Sequence, residues 1–384
     1  MPLIFSLVFT FLSAGGGTAS FAIQESVRSR IVAPGVRHTM YEKPGPYVIH
    51  VLEIDLREPT VQIESFRLQG LVKTTTQALA NEREGSRVVA AINADFFSFQ
   101  TGWPLGIQAM RGKLIHAAPT SRSHIAFDRK KRPLIEQFSF RGSISTKYGD
   151  RFQIDRVNEP RTQNRVTLYT SEWDTLLTVS PGDMVLHARL TGTQWSIGDT
   201  LRVVVLSLQS ESPTQIGYHE VAILVSEAEV KSKLQKKLRL RDTLALYLGL
   251  NPYVTGVQEV VGGAGTLLRN GLYDSTAIIK SERLASNFLT TRHPRRFVGF
   301  DRDTTKLFFC TVDGRQELSI GMSFQEMADF LQSIGAWNAI NLDGGGSTTM
   351  VVEGQIVNSP SDRTGERPVA NTLQVISKTF TNTR

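Results

Sequence analysis

Two stretches of the chain repeat one chemical pattern. Ala91-Ile92-Asn93-Ala94-Asp95 and Ala339-Ile340-Asn341-Leu342-Asp343 both read Ala-Ile-Asn-x-Asp. In an extended chain positions i and i+2 point to the same side, so each strand end presents an amide and a carboxylate together. If the two strands lie near each other in one sheet, two amides and two proton-transferring carboxylates converge on one cleft. Two unrelated turn-capping Asx residues would produce the same letters.

The second copy runs on into Gly344-Gly345-Gly346-Ser347-Thr348-Thr349. Three successive glycines suggest positive φ or the close approach of another group to bare backbone, and consecutive N–H groups in such a loop can form an anion-binding nest. The Walker pattern is absent, because no Gly-x4-Gly-Lys precedes Ser347. Gly262-Gly263-Ala264-Gly265 fails as a dinucleotide fingerprint, and Gly345-Gly346-Ser347-Thr348-Thr349 lacks the last glycine of a nucleophile elbow. Asp313, in Thr311-Val312-Asp313-Gly314-Arg315, places a third carboxylate at a strand end beside a turn. His293-Pro294-Arg295-Arg296 offers an imidazole and two guanidiniums, the side chain best suited to bidentate phosphate contacts. Arg367 and Asn371 follow the glycine loop closely enough to wrap back beside it. The seven histidines show no His-x3-His spacing, which disfavours zinc. The convergent Asp and Asn oxygens leave a structural calcium ion open, and no cofactor is expected to be required.

Positioning these groups falls mainly to strands. Val61–Phe66 alternates cleanly and Tyr47–Leu56 partly, while Val88–Ile92, Leu201–Leu208, Leu244–Leu248, Leu307–Val312 and Ala339–Leu342 are short apolar runs of buried-strand type. Helices are expected over Thr74–Glu84, with a Thr74…Gln77 capping box, over Ser323–Ile334, with Ser323…Glu326, and over the lysine-rich Glu227–Leu238. Strands outnumber helices without a regular βαβ alternation. The fold class is therefore α+β: a mixed β-sheet core with a few flanking helices and a strand-rich middle subdomain.

The chain has 384 residues with 43 Lys+Arg against 36 Asp+Glu, a formal charge of +7, and a single cysteine. One Cys excludes a disulfide scaffold, and Cys310 in an apolar run reads as a buried thiol. The basic runs lack the interleaved aromatics of a single-strand nucleic-acid platform, so no nucleic-acid partner is expected. Residues 3–12 are apolar and are followed by small residues, as in a secretory signal peptide, with cleavage after Ala19 or Ala22. This run is shorter than the roughly 20 residues that span a bilayer. The expected organisation is a leader over 1–19, a lead-in over 20–44 and a catalytic domain over 45–384 with its strand-rich middle at 119–254. The mature chain is expected to be secreted or periplasmic, with no transmembrane segment.

These blocks together resemble the phosphodiester glycosidase family. The resemblance is carried by Ala91–Phe97, Gly106-Ile107, Gly112-Lys113-Leu114, Gly262-Gly263, His293–Gly299 and Thr311–Arg315. It continues through Asn341–Met350 and from Val357–Asp362 to Gly365–Val369 and Asn371. It spans about residues 90–377 in the family's order, and the Asn-Leu-Asp-Gly-Gly-Gly-Ser block is its most specific part. Asp95 stands where the mammalian pattern tends to have glycine, and Arg296 where many members have threonine.

The resemblance implies hydrolysis of a sugar-1-phosphodiester, releasing the sugar and leaving a phosphomonoester. Such a reaction needs one protonated and one ionised carboxyl flanking the anomeric carbon. Asp343 and Asp95 are the leading catalytic pair, with Asp313 a close third. Asn93, Asn341, His293, Arg295, Arg315, Gly344, Gly345, Gly346, Ser347, Arg367 and Asn371 are the expected substrate contacts. The mammalian members' cysteine-rich modules are absent, so a sugar-phosphate polymer or glycolipid of a cell envelope is the expected substrate. The alternative is a non-catalytic binder of anionic cell-wall polysaccharide on the same fold.

Overall fold

The computed structural model describes residues 25–378 apart from 174, 178, 193–194 and 210–214. The expected leader over 1–19 lies outside the described residues. Among the described residues there are 25 strands against five α-helices, so the sheet-rich expectation holds in its coarse form. The ladders are antiparallel except one short pair, Arg156–Val157 beside Thr167–Leu168.

A seven-stranded sheet has the order Ser26–Ala33, Val36–Lys43, Tyr47–Asp55, Lys306–Val312, Arg295–Phe300, Asn338–Leu342, Thr266–Leu268. Its first two strands come from the segment expected to be a lead-in. Facing it is a five-stranded sheet of Gln355–Ile356, Met350–Val352, Ser86–Asn93, Thr372–Lys378 and Val61–Phe66. The core between them contains Leu52, Ile54, Ile92, Val298, Phe309, Ile340, Leu342 and Val375. Helices Ser275–Glu282, Ser286–Thr290 and Phe324–Ser333 cover the other face of the seven-stranded sheet, through Ile278, Leu289, Phe324, Met327 and Leu331 against Phe297, Cys310 and Val312.

The period of two is visible within single strands. Leu307 and Phe309 enter the inter-sheet core, while Phe308, Cys310 and Val312 enter the helix-side core. Because both faces are covered, these strands read as continuous apolar runs although their ladders are antiparallel. The same alternation splits a neighbouring pair: Arg296 shares the inter-sheet face with Val298 and Phe300, and Arg295 shares the helix face with Phe297.

The middle of the chain forms an eight-stranded sheet packed against a further five-stranded sheet that contains Gln108–Met110, His124–Asp128 and Val257–Gly262. That second sheet belongs to two cores at once. Val260 and Ala126 face the eight-stranded sheet, whereas Val261, Ile125 and Phe127 face the inter-sheet core. The strand-rich stretch 119–254 is thus joined to the rest through a shared sheet and continuous packing.

Two helices form as their sequences indicate. Ser323 accepts from the Glu326 N–H while the Glu326 carboxylate accepts from the Ser323 N–H, a full capping box, and Ala228–Lys237 lies between caps Glu227 and Leu238. The first helix differs. It spans only Thr74–Ala80, Lys73 is its N-cap, and the expected Thr74…Gln77 box does not form. Gln77 instead donates to the carbonyls of Val72 and Val369, and the distant Glu366 carboxylate accepts from the Thr75 N–H at 2.8 Å and its hydroxyl at 2.7 Å. A tertiary contact replaces the local cap. Helices Ser275–Glu282 and Ser286–Thr290 were not anticipated. No helix among the described residues is long and apolar enough to cross a membrane.

Candidate active site

The two Ala-Ile-Asn-x-Asp strands lie in different sheets, yet their ends meet. Asp343 N–H donates to Ala94 C=O at 2.9 Å. Asn93 Nδ2 donates to Asp343 C=O at 3.0 Å, and Asn93 Oδ1 accepts from Thr349 N–H at 3.1 Å. Asn93 therefore fastens one sheet to the other and spends its amide on protein groups. Asn341 is directed elsewhere: its Nδ2 donates to Ala264 C=O at 2.9 Å. The carboxylates converge across the sheets, and the amides do not.

Asp95 is 1% exposed. Its Oδ2 accepts from Gly106 N–H at 3.0 Å and Gly262 N–H at 3.2 Å. Its backbone N–H donates to Asn371 Oδ1 at 2.9 Å, which gives Asn371 a positioning task. Both glycines abut the carboxyl. A Cβ on Gly106 would lie 2.5 Å from Oδ2, and one on Gly262 would collide with the same atom. Asp95 Oδ1 is buried without a partner among the described residues. Burial pushes this carboxyl up to about 7, against the charge of Arg122 and the Gly106 N–H, with Asp343 adding to the rise.

Asp343 sits in a more polar setting. Burial raises it to about 6, opposed by the Ser347 hydroxyl, the charges of Arg296 and Arg367, and the Gly344 N–H. Asp313, also raised to about 6 by burial, is held by Asn358 Nδ2 at 3.1 Å and Ser359 N–H at 3.0 Å and feels the charge of Arg296. Arg296 links the group. It is fully buried, donates from Nη1 to Asn93 C=O at 3.0 Å, and lies opposite Thr311 across the ladder. Burial lowers its pKa to about 9, while Asp343 and Asp313 pull it back up.

Arg295 is placed otherwise than expected. Its guanidinium points to the helix side, donating to the carbonyls of Met322, Phe288 and Thr291 at 3.2, 2.7 and 2.8 Å, between the Phe288 and Phe324 rings. It ties the Ser286–Thr290 helix to the sheet. The guanidinium facing the carboxylates belongs to Arg296. Arg295 and Arg296 lie on opposite faces of one strand, and with apolar residues on both faces the letters alone did not reveal which was which.

The glycine loop turns as a short 3-10 segment over Gly345–Ser347, with Gly345 at φ 59°. Gly344 lies against Pro294 C=O, where an added Cβ would come within 2.7 Å, and Gly345 N–H donates to that carbonyl at 2.8 Å. Arg367 lies over Gly346, paired with Asp362 at 2.6 Å and reaching Ser347 Oγ at 3.5 Å. Arg315 approaches Gly345, with Nη2 3.5 Å from His293 Nδ1. Burial and the charges of Arg295 and Arg315 hold the His293 imidazole below its ordinary value. Two buried carboxyls, Asp343 and Asp313, flank one buried cation, Asp95 feels the charge of Asp343, and an arginine-flanked glycine turn lies beside them; such a group can divide acid and base duties and receive an anion. Among the described residues no group of three or more His, Cys, Asp or Glu side chains assembles as a metal site.

Residues 202–376 match the family described as phosphodiester glycosidase. Asp313, Asp343, Arg296 and Arg367 lie inside the match; Asn93 and Asp95 precede it. The mouse N-acetylglucosamine-1-phosphodiester alpha-N-acetylglucosaminidase is 38% identical over 120 residues, covering 29% of this chain and 22% of that protein. The Bacillus subtilis protein YomE, prophage-derived and uncharacterized, is 42% identical over 87 residues, 23% of this chain and 13% of that one. The matched parts thus span under a quarter of these relatives. Among solved structures, a hypothetical protein from Synechocystis superposes with a TM-score of 0.73 at 22% identity over 92% of this chain and 64% of that chain. A candidate exported protein from Burkholderia pseudomallei superposes with a TM-score of 0.65 at 20% identity over 86% and 74%. Both share the fold.

Proposed function

We propose that the chain hydrolyses a sugar-1-phosphodiester, breaking the bond between the anomeric carbon and the phosphate oxygen and adding water to give free sugar and a phosphomonoester. The observation that carries this is the unequal pairing of Asp95 and Asp343. Asp95 accepts two N–H groups on Oδ2 and leaves buried Oδ1 without a partner among the described residues, so its proton is assigned to Oδ1, free to be donated. Asp343, beside two guanidiniums and a hydroxyl, ionises first and serves as the base or nucleophile. Arg296 stabilises the ionised form, and Asp313, enclosed by protein donors, adds a second negative charge that acts on Arg296. Phosphate is already a good leaving group, so stabilisation of its charge by Arg367, Arg315 and the glycine turn is assigned a large share of the catalysis.

The substrate is placed in a cell-envelope or extracellular glycopolymer or glycolipid, and the chain is assigned to export on its apolar start. The rival reading is a binder of anionic polysaccharide that releases no sugar. The test is release of sugar from a synthetic sugar-1-phosphodiester by the purified chain. Asp343→Asn is expected to abolish turnover while binding stays measurable. Unchanged turnover in that variant would remove Asp343 from the mechanism, and no release by the wild type would favour the binder.

A further inference from the structure

A second cleft lies beside Asp95, and the reaction as proposed does not use it. It encloses about 610 Å³ and is lined by Leu105, Thr120, Ser121, Arg122, Glu159 and Arg283 among others. Its wall is continuous with the carboxylate site. Leu105 precedes Gly106, whose N–H holds Asp95, and Ser123, next to Arg122, accepts from Gly263 N–H at 2.9 Å beside the Gly262 that also holds Asp95.

Arg122 is held in place in the cleft, and Arg283 is exposed at its wall. Arg122 stacks over the Phe96 ring at 4.9 Å, and its Nη1 is buried without a hydrogen-bond partner among the described residues. The segment carrying it is clamped by Glu282, whose carboxylate accepts from Ser123 N–H at 3.0 Å and Ser123 Oγ at 2.7 Å as well as from Gly265 and Thr266. Arg283 ends the Ser275–Glu282 helix at φ 55°, a left-handed conformation that costs a non-glycine residue about 1 kcal/mol or more. Among the described residues neither arginine has a carboxylate in ion-pair range. The cleft's own acid, Glu159, is taken by His116 at 2.6 Å and Arg156 at 3.7 Å. Two unpaired guanidiniums beside the hydroxyls of Thr120 and Ser121 suit a phosphate. Arg367, Arg315 and the glycine turn already serve one phosphate on the Asp343 side.

We propose that this cleft is a second phosphate subsite, so that the preferred substrate is a sugar-1-phosphodiester whose aglycone carries another phosphate, as in a phosphate-linked polymer. The proposal rests on the glycosidase reading for its reaction but not for its binding. The kinetic test compares sugar-1-phosphoglycerol with the same compound phosphorylated at the far glycerol hydroxyl, using the full chain. Wild type is expected to prefer the second by about tenfold or more in kcat/KM, expressed in KM, the size of one charged hydrogen bond. Arg122→Gln and the exposed Arg283→Gln each reduce that preference towards one. Absence of a preference in wild type, or an equal loss on both substrates in the variants, overturns the subsite. If neither compound is hydrolysed, the glycosidase reading fails and calorimetry with glycerol 3-phosphate decides the subsite alone. Binding about tenfold weaker in Arg122→Gln and Arg283→Gln supports it, and unchanged binding overturns it.

Discussion

Asp95 and Asp343 are the same side chain in two environments, and the difference is the basis of the division of labour proposed for them. Asp95, enclosed by Gly106, Gly262 and apolar packing, holds its proton to about pH 7, whereas Asp343 releases its own near 6. A mechanism that needs the first protonated and the second ionised works best between those values. The profile of kcat/KM against pH is expected to be bell-shaped, with limbs near 6 and 7. Asp95→Asn should remove the alkaline limb and lower kcat by about 10²–10⁴, with partial recovery on a sugar fluoride, whose departure needs less proton transfer. A profile whose alkaline limb survives that substitution would take Asp95 out of the acid role. Asn93 acts differently, as a fastening between sheets. Asn93→Ala leaves Thr349 N–H and Asp343 C=O unsatisfied in the interior, a cost of about 2 kcal/mol or more that should appear as a lower urea midpoint.

At the scale of elements, the neighbour of a cap becomes part of the site. Glu366 caps the Thr74–Ala80 helix through Thr75, and this fixes the strap from which Arg367 reaches over Gly346. Glu366→Ala is expected to cost about 1–2 kcal/mol, as other lost N-caps do, and to raise KM for the phosphodiester because Arg367 loses its anchor. A stability loss with unchanged KM would limit Glu366 to capping. This cap also marks where the sequence stops being legible. The Ser323…Glu326 box is local and was readable, whereas the cap on Thr75 comes from 291 residues away and carries no local signature. Strands such as Val61–Phe66 and Lys306–Val312 were visible because pleat and burial write themselves into consecutive residues. The repeated Ala-Ile-Asn-x-Asp correctly pointed to carboxylates that meet, but whether one sheet or two brought them together depends on topology. Arg296 was missed for a related reason. Phe297 and Val298 are both buried, on opposite faces, so the apolar pattern does not reveal which arginine turns inward.

Over the whole molecule, two sets of buried ionisable groups oppose each other. Much of the surface charge is neutralised locally, as where Arg132 pairs with Asp128, Lys237 with Asp150 and Lys147 with Asp242. The interior therefore dominates the pH response. Burial lifts Asp95 to about 7, Glu259 to about 8, and Asp313 and Asp343 to about 6. It depresses His38 and His124 to about 4 and His50 to about 3. A carboxyl with a raised folded value contributes stability below its unfolded value near 4 and loses it as pH climbs through the folded value. A histidine with a depressed folded value contributes above its unfolded value near 6.5 and loses stability as pH falls. Between about pH 4 and 6.5 the two sets oppose each other and stability should change little. Above 6.5 the histidines are neutral in both states, while Asp95 and Glu259 still bind protons only in the fold. Stability should therefore decline from pH 6.5 to 8, the direction opposite to ordinary acid unfolding. Urea midpoints at pH 5, 6.5 and 8 test this. Asp95→Asn, which removes the buried charge while keeping the shape, should unfold later than wild type at pH 8 and lose that advantage at pH 5. A wild-type midpoint that rises between pH 6.5 and 8 would mean these carboxyls are already ionised in the folded protein, and the proton assigned to Asp95 would be absent at neutral pH.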